Sequence, residues 1–471
     1  MLKNILLVEP DYHNKFPPLG LMKISSYHKL RGDNVKFVKG CINEYRLMKW
    51  DRIYISTLFS FFWKKTTDTI KYYSRSVKNT TDIVVGGVMA TLFSDEIEKE
   101  FNVKVVKGLL NTKGILDNGD NHIIDTLIPD YSILKDIEYN YGIEDSYIGY
   151  ATRGCPNNCT FCAVNKIEPA FDNYLPIKRQ VRGIEALYGE KRNLILCDNN
   201  VLASESFTQI IEDIIELGFE KGATFQGKLR FVDFNQGIDA RLLDDNKMEQ
   251  ISKIAIRPLR IAFDNIKLKG IYVGAVKIAA KYDVLNLSNY ILYNYHDKPE
   301  HFYDRLRINI ELNEKIGTKI YSFPMRYIPL LDKDRSYCGK HWNKKILRGI
   351  QCVLLATRGK VGPTKDFFEA AFGSNYDEFR RITLMPDDYI IYREDHKNNG
   401  ALDWTETYRR LTENQKIELL DRLSLGKISI KDVKDTSSAR LKKIYSHYIE
   451  SDRLVSLRRK DWQENNKNCH K

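Results

Sequence analysis

Three cysteines within eight positions are the residues with the clearest chemical promise: Arg153-Gly154-Cys155-Pro156-Asn157-Asn158-Cys159-Thr160-Phe161-Cys162. Their Cys-x-x-x-Cys-x-x-Cys spacing lets one loop wrap three thiolates around a corner of a cubane, and thiolates are the usual ligands of iron–sulfur clusters. Three protein ligands leave a fourth iron open to a chelating small molecule. A structural zinc asks for a fourth ligand close by, and neither His nor Cys occurs between Cys162 and Cys197. Three cysteines packed in a core is the remaining alternative. Elsewhere, Cys338, His341 and Cys352 are one ligand short of an auxiliary metal site, and Cys352 sits in an apolar helical run, so core packing is expected. Cys197 reads as a buried strand residue, and Cys469-His470 as a tail with no evident partner.

The elements that must position the cysteine loop can be read from periodicity. From residue 146 onward, strand-like runs at 147–152, 193–197, 229–235, 260–263, 290–293 and 320–323 alternate with helical stretches such as 206–217. Six β/α units suit a partial barrel of the TIM kind, whose chemistry belongs at the carboxyl ends of its strands, and the cysteines directly follow the first of them. Before it, runs at 4–8, 35–38, 52–56, 82–85 and 104–106 alternate with helices, one over 19–30, and predict a parallel sheet with helices on both faces. The expected fold class is therefore α/β: an N-terminal doubly wound, Rossmann-like sheet (1–110), a linker (111–145), a central partial (β/α)6 TIM-like barrel (146–335) and a mostly helical extension (336–471). Residues 403–423 and 439–457 are its clearest helices.

Composition bounds the function. With 471 residues, 43% hydrophobic and 29% charged, the chain has the balance of a soluble multi-domain protein. No run approaches about 18 apolar residues, so no membrane helix is expected. The opening MLKNILLVEPDYHN is too short for a signal-peptide core, which predicts a cytoplasmic protein. In that compartment eight cysteines do not make a disulfide scaffold. The net charge of +12 lies in the flanks: residues 1–110 carry 18 Lys/Arg against 11 Asp/Glu, and 401–471 carry 16 against 11. Such flanks attract phosphate polymers in some proteins and are plain solvated surface in more of them.

At the cysteine motif, with Phe161 as the aromatic before its last cysteine, the sequence resembles the radical S-adenosylmethionine enzymes over residues 146–335. The resemblance implies a [4Fe-4S] cluster on Cys155, Cys159 and Cys162, with S-adenosylmethionine chelating the open iron. Reductive cleavage then releases a 5′-deoxyadenosyl radical. It also implies a flavodoxin- or ferredoxin-type electron donor and a small-molecule substrate. By position, Asp198-Asn199-Asn200 after the second strand stands where the family meets the methionine amino group. Asp239 and Arg241 after the third strand stand where it meets ribose and carboxylate. The other reading of Asp239-Arg241 is a helix-start charge pair. Asp264-Asn265 is a weaker candidate of the same kind.

In the N-terminal part, Asp11-Tyr12-His13, Ser56-Thr57-Leu58 and Gly86-Gly87 resemble the cobalamin-binding signature. This implies His13 as a cobalt ligand, Ser56 on the nucleotide base and Gly86 and Gly87 beside the tail. Phe16 departs from the signature, where glycine is expected. The alternative is a plain strand-to-helix turn and a surface histidine. Methylthiotransferases need three cysteines in this domain, and only Cys41 is present. The expectation is a radical enzyme of undetermined substrate: with cobalamin, methylation or ring rearrangement; without it, oxidation or carbon–carbon bond chemistry. Two alternatives are a cobalamin-independent RNA- or DNA-modifying radical enzyme and a non-catalytic iron–sulfur electron-transfer or sensor protein.

Overall fold

The computed structural model describes residues 2–398 and 400–468; Cys469 and His470 lie outside the described residues. The chain forms two compact units. One runs to Arg260 and includes residues 281–284 and 328–337; the other holds 261–280, 285–327 and the chain from Cys338 onward.

In the first unit, β1 (Asn4–Glu9), β2 (Asn34–Lys39), β3 (Arg52–Thr57), β4 (Ile83–Gly87) and β5 (Lys104–Val106) form a parallel sheet in the order β2-β1-β3-β4-β5. Ile5, Leu6, Leu7 and Val8 are all fully buried, as a parallel strand covered on both faces requires. Helix Leu19–Leu30 buries Leu21, Met22, Ile24 and Tyr27. The strand order reverses between β1 and β3, where ligands of doubly wound sheets bind outside the carboxyl ends. Register places Ser56 beside Gly86 and Thr57 beside Gly87 at that end.

Residues 111–145, aperiodic in sequence, are anchored at a few buried positions around Asp130 and Tyr131. Asp130 accepts hydrogen bonds from Ser25 (2.6 Å) and Tyr188 (2.9 Å), and the Tyr131 hydroxyl donates to Ser146 O and accepts from Ile148 N, both at 3.0 Å. Beyond them, β6 (Ser146–Gly149) and β7 (Asn193–Leu196) pair in parallel. A hairpin follows, β8 (Thr224–Phe225) with β9 (Lys228–Leu229), and then β10 (Val232–Phe234), parallel to β7. The strand expected over 229–235 is thus shorter, because the hairpin takes its first residue. The strand expected over 147–152 stops at Gly149, because the Asp198 carboxylate, rather than a neighbouring strand, takes the amides of Ala151 and Thr152. Short β11 (Leu259–Arg260) follows in sequence but is not a strand of the β10-β7-β6 sheet.

In the second unit, β12 (Asn286–Tyr293) and β13 (Lys319–Arg326) pair in parallel over eight positions, joined by helix Pro299–Ile316. The remainder is helical and packs a core that includes Phe302, Ile350, Cys352, Phe372 and Trp404. The single helix expected over 403–423 is two, Gly400–Arg409 and Glu413–Leu425. Thr412 and Gln415 form a reciprocal capping box that starts the second. The last helix, Ala439–Asn468, outruns its expected end at 457. The α/β class with a doubly wound N-terminal sheet and a helical C-terminal extension stands. Among the described residues, no helix is long and apolar enough to cross a membrane.

Candidate functional site

The cysteine loop leaves β6 and is fixed by two carboxylates, the buried Asp198 and the half-buried Glu168. Asp198, 1% exposed, accepts from Ala151 N (3.0 Å), Thr152 N and the Thr152 hydroxyl (2.6 Å). Burial pushes its carboxyl up to about 6 despite these donors. Glu168 accepts from Gly154 N (2.6 Å), Asn199 Nδ2 (2.9 Å) and Arg153 (2.9 Å), whose guanidinium stacks 4.0 Å from the Tyr150 ring centroid. Gly154 has φ +75°, and a Cβ there would lie 2.1 Å from Ala170 O, so only glycine fits immediately before Cys155. Asp198 and Asn199, read as cofactor contacts, thus hold the loop's main chain and Glu168 respectively.

The three cysteines are half-buried. Asn200 Nδ2 points at Cys155 Sγ (3.7 Å) and Val164 N at Cys162 Sγ (3.5 Å). Asn157, inside the motif, donates to Asp239 at 3.0 Å. Asp239 in turn takes Arg241 in a two-pronged bond, 2.8 and 2.6 Å, and caps the short turn Ala240–Leu242. Burial alone would raise the Asp239 carboxyl, but the Arg241 and Asn157 hydrogen bonds outweigh it and hold it below the usual range. The Arg241 guanidinium, about half exposed, is held charged first by Asp239 and also by the nearby Cys159 and Cys155. The Asp239-Arg241 pair is therefore both a turn-start charge pair and a neighbour of the cysteines. Phe161 sits half-buried between Cys159 and Cys162. Among the described residues, no three His, Cys, Asp or Glu side chains are gathered as ligands of a single metal ion. The donor set is three thiols on one loop with hydrogen-bond donors at two sulfurs. That fits a cubane, which spreads its thiolates over separate irons.

A cavity of about 530 Å³ opens at the carboxyl ends of β1, β3, β4 and β5 and continues to residues following β6, β7 and β10, among them Arg153, Asn199 and Gln236. Ser56, Gly86, Gly87 and Phe16 line it; His13 is exposed and is not among its lining residues. Gly87 has φ +103°, and a Cβ would meet Thr57 O at 2.3 Å, so this glycine is demanded by strand packing itself. At Gly86 the nearest atom to an added Cβ is 3.8 Å away. Cys197 also lines the cavity, and burial pushes its thiol up to about 12.

In the second unit, Cys352 is fully buried in the apolar core, Cys338 packs against that core, and His341 is exposed. Asp264 lies there too, and its backbone carbonyl accepts from Arg305 at 2.8 Å. Sequence reasoning missed Glu168, Asn157 and Arg153. Glu168 lies in an aperiodic stretch, and the only available signal was a charge opposite Arg153 within one loop.

No known family matches the chain, and no curated relative matches it. Solved structures do. Two are of TsrM from Kitasatospora setae, a radical S-adenosylmethionine methyltransferase. One holds cobalamin and a [4Fe-4S] cluster, with 12% identity, TM-score 0.50, and 75% of this chain and 76% of that chain covered. The other holds tryptophan substrate and the S-adenosylmethionine analogue aza-SAM, with 12% identity, TM-score 0.50, and 74% and 76% covered. HydG, a maturase of the [FeFe]-hydrogenase, matches at 13% identity, TM-score 0.31, over 51% of each chain. The likeness to TsrM establishes a shared fold.

Proposed function

We propose that this chain is a radical S-adenosylmethionine enzyme whose Cys155, Cys159 and Cys162 hold a [4Fe-4S] cluster. The observation that carries the reading is the loop itself: three thiols at Cys-x-x-x-Cys-x-x-Cys spacing, leaving a parallel strand and ringed by Asn157, Asn200 and Arg241. A cluster bound there with S-adenosylmethionine supplies the electron that splits the sulfonium and releases a 5′-deoxyadenosyl radical. The chain's own residues do the holding. Asp198 and Glu168 fix the loop backbone, and Asn200 and Val164 N place hydrogen bonds on sulfur. Arg241, oriented by Asp239, offers its remaining N–H groups to a carboxylate. With both its oxygens taken by Arg241 and Asn157, Asp239 is better suited to hold Arg241 than to bind ribose. A small-molecule substrate and a flavodoxin- or ferredoxin-type reductant complete the reading.

Anaerobic reconstitution should give about four irons per chain, and the reduced protein should form 5′-deoxyadenosine from S-adenosylmethionine. An iron-loaded protein that yields none would leave the electron-transfer or sensor reading in its place.

A cobalamin-dependent form of the reaction, methylation or rearrangement, is the second reading. The observation favouring it is the fold shared with TsrM, which was solved with cobalamin, together with Ser56 and Gly86 side by side on the crevice edge. A corrinoid in this crevice takes no ligand from His13, so His13→Ala should leave hydroxocobalamin binding unchanged.

A further inference from the structure

Three consecutive polar side chains follow β7, and each has a different destination. Asp198 takes the amides of Ala151 and Thr152. Asn199 Nδ2 donates to Glu168 at 2.9 Å. Asn200 turns its Nδ2 to Cys155 Sγ, 3.7 Å away. Among the described residues that sulfur is the sole partner of the Asn200 side chain, because its Oδ1 is buried with no hydrogen bond at all. The side chain is also held in place. Asn200 is 2% exposed, Val201 and Leu202 beyond it are buried, and Ala203 N closes a turn on the Asn200 carbonyl at 3.1 Å. A buried amide oxygen without a partner costs stability that an apolar side chain of similar size would not. Packing therefore does not account for an asparagine here, whereas a donor needed at sulfur does.

Cys162 receives its donor from the main chain, Val164 N at 3.5 Å. The donor at Cys155 comes instead from a side chain at a separate strand end. Hydrogen bonds to the sulfurs are among the features that set the reduction potential of an iron–sulfur cluster. One added electron puts more negative charge on the thiolate sulfurs, with no bond broken and no proton moved. An N–H aimed at sulfur in a site shut off from water favours that charge. It stabilises the reduced state over the oxidised one and so raises the potential.

We propose that Asn200, through its N–H on Cys155 Sγ, raises the reduction potential of the cluster and eases its one-electron reduction by a flavodoxin- or ferredoxin-type donor. The inference rests on the reading in which Cys155, Cys159 and Cys162 hold the cluster. It gives Asn200 to the cluster sulfur in place of the methionine amino group that the family meets at this position.

The test is an anaerobic potentiometric titration of the full-length reconstituted protein without S-adenosylmethionine, followed by the EPR signal of the reduced cluster. Asn200→Leu and Asn200→Met remove the N–H and keep the space filled. Each should lower the equilibrium constant for one-electron reduction about tenfold, a downward shift of about 59 mV, with iron per chain unchanged. S-adenosylmethionine affinity, from isothermal titration of the oxidised protein, should stay within about twofold in Asn200→Leu. An unchanged potential in both variants would overturn the proposal, and a weakened S-adenosylmethionine affinity beside it would return Asn200 to the methionine amino group. Loss of iron from both variants would also overturn it, because Asn200 would then build the site and not tune it. Failure of the cluster reading shows separately, as native protein that holds no iron after reconstitution. Failure of the radical reading shows as native protein that holds iron but forms no 5′-deoxyadenosine, with the shift between native and variant potentials intact.

Discussion

Cysteines occur in two contrasting settings in this molecule. Cys155, Cys159 and Cys162 lie on an irregular loop, half-buried, with N–H groups aimed at two of the sulfurs and Arg241 nearby. Cys352 lies on helix Lys344–Ala356, fully buried among apolar side chains, with its thiol pushed up to about 12 by burial and then by Asp387. The residue type is the same, but the loop sulfurs have N–H donors and a guanidinium nearby, whereas burial opposes the thiolate at Cys352. What sets a cysteine's chemistry here is the supply of donors and charge around sulfur.

The largest expected effect breaks this contrast directly. Changing Cys155, Cys159 and Cys162 together to Ala should remove nearly all cluster iron and its visible absorbance after reconstitution, whereas Cys338→Ala with Cys352→Ala should leave iron per chain unchanged. Iron lost equally in both would mean that the core cysteines take part. The next effect falls on the loop's support. Glu168→Gln replaces an acceptor of three donors by a group whose N–H must face either Gly154 N and Asn199 or Arg153. Breaking such a buried pair costs about 3 kcal/mol. Urea denaturation of the apo protein should show that loss, and cluster occupancy should fall with it. Unchanged stability would mean that Asp198 alone fixes the loop.

The contrast also marks what the sequence made legible. The cysteine spacing and its place after a strand are local, so both could be read without coordinates. So could β1 and helix Leu19–Leu30, whose apolar periods are unbroken. The supports of the loop come from separate segments: Asp198 after β7 and Asp239 after β10 stand out in sequence but not in this supporting role, and Glu168, in an aperiodic stretch, does not stand out at all. The target shared by Asp198 and Glu168, the backbone at 151–154, has no side-chain signature. Gly86-Gly87 reads as one motif, yet the structure separates the pair. Gly87 is imposed by Thr57 and Gly86 is open to the crevice. The break inside the helix expected over 403–423 falls at the Thr412–Gln415 capping box.

A smaller effect sharpens the loop side of the comparison. Arg241, in the turn after β10, lies near the cysteines while remaining about half exposed. Removing a charged hydrogen-bonding partner of a carboxylate costs roughly 1.5–3 kcal/mol, so Arg241→Ala should weaken S-adenosylmethionine binding about tenfold or more without reducing iron content. Asp239→Asn should produce part of the same loss, because Arg241 keeps a partner but not a carboxylate. Isothermal titration on the reconstituted protein measures both, and unchanged affinity in Arg241→Ala would remove that residue from the site.

The last and smallest effect at neutral pH belongs to Cys352. Its thiol ordinarily ionises near 9.0 and is shifted to about 12 in the fold. In the unfolded chain it releases its proton above pH 9, while in the folded chain it stays protonated, so the unfolded state binds fewer protons across that window. Stability contributed by this group is therefore fully present below pH 9 and lost as pH rises toward 12. Cys352→Ala removes the sulfur from a packed core and should cost about 1 kcal/mol at pH 7. The variant has no thiol to ionise, so its deficit relative to the native chain should shrink between pH 9 and 10.5 in parallel denaturation curves. A constant deficit over that range would show that Cys352 titrates in the folded state as it does in water, and the contrast between core and loop cysteines would then rest on packing alone.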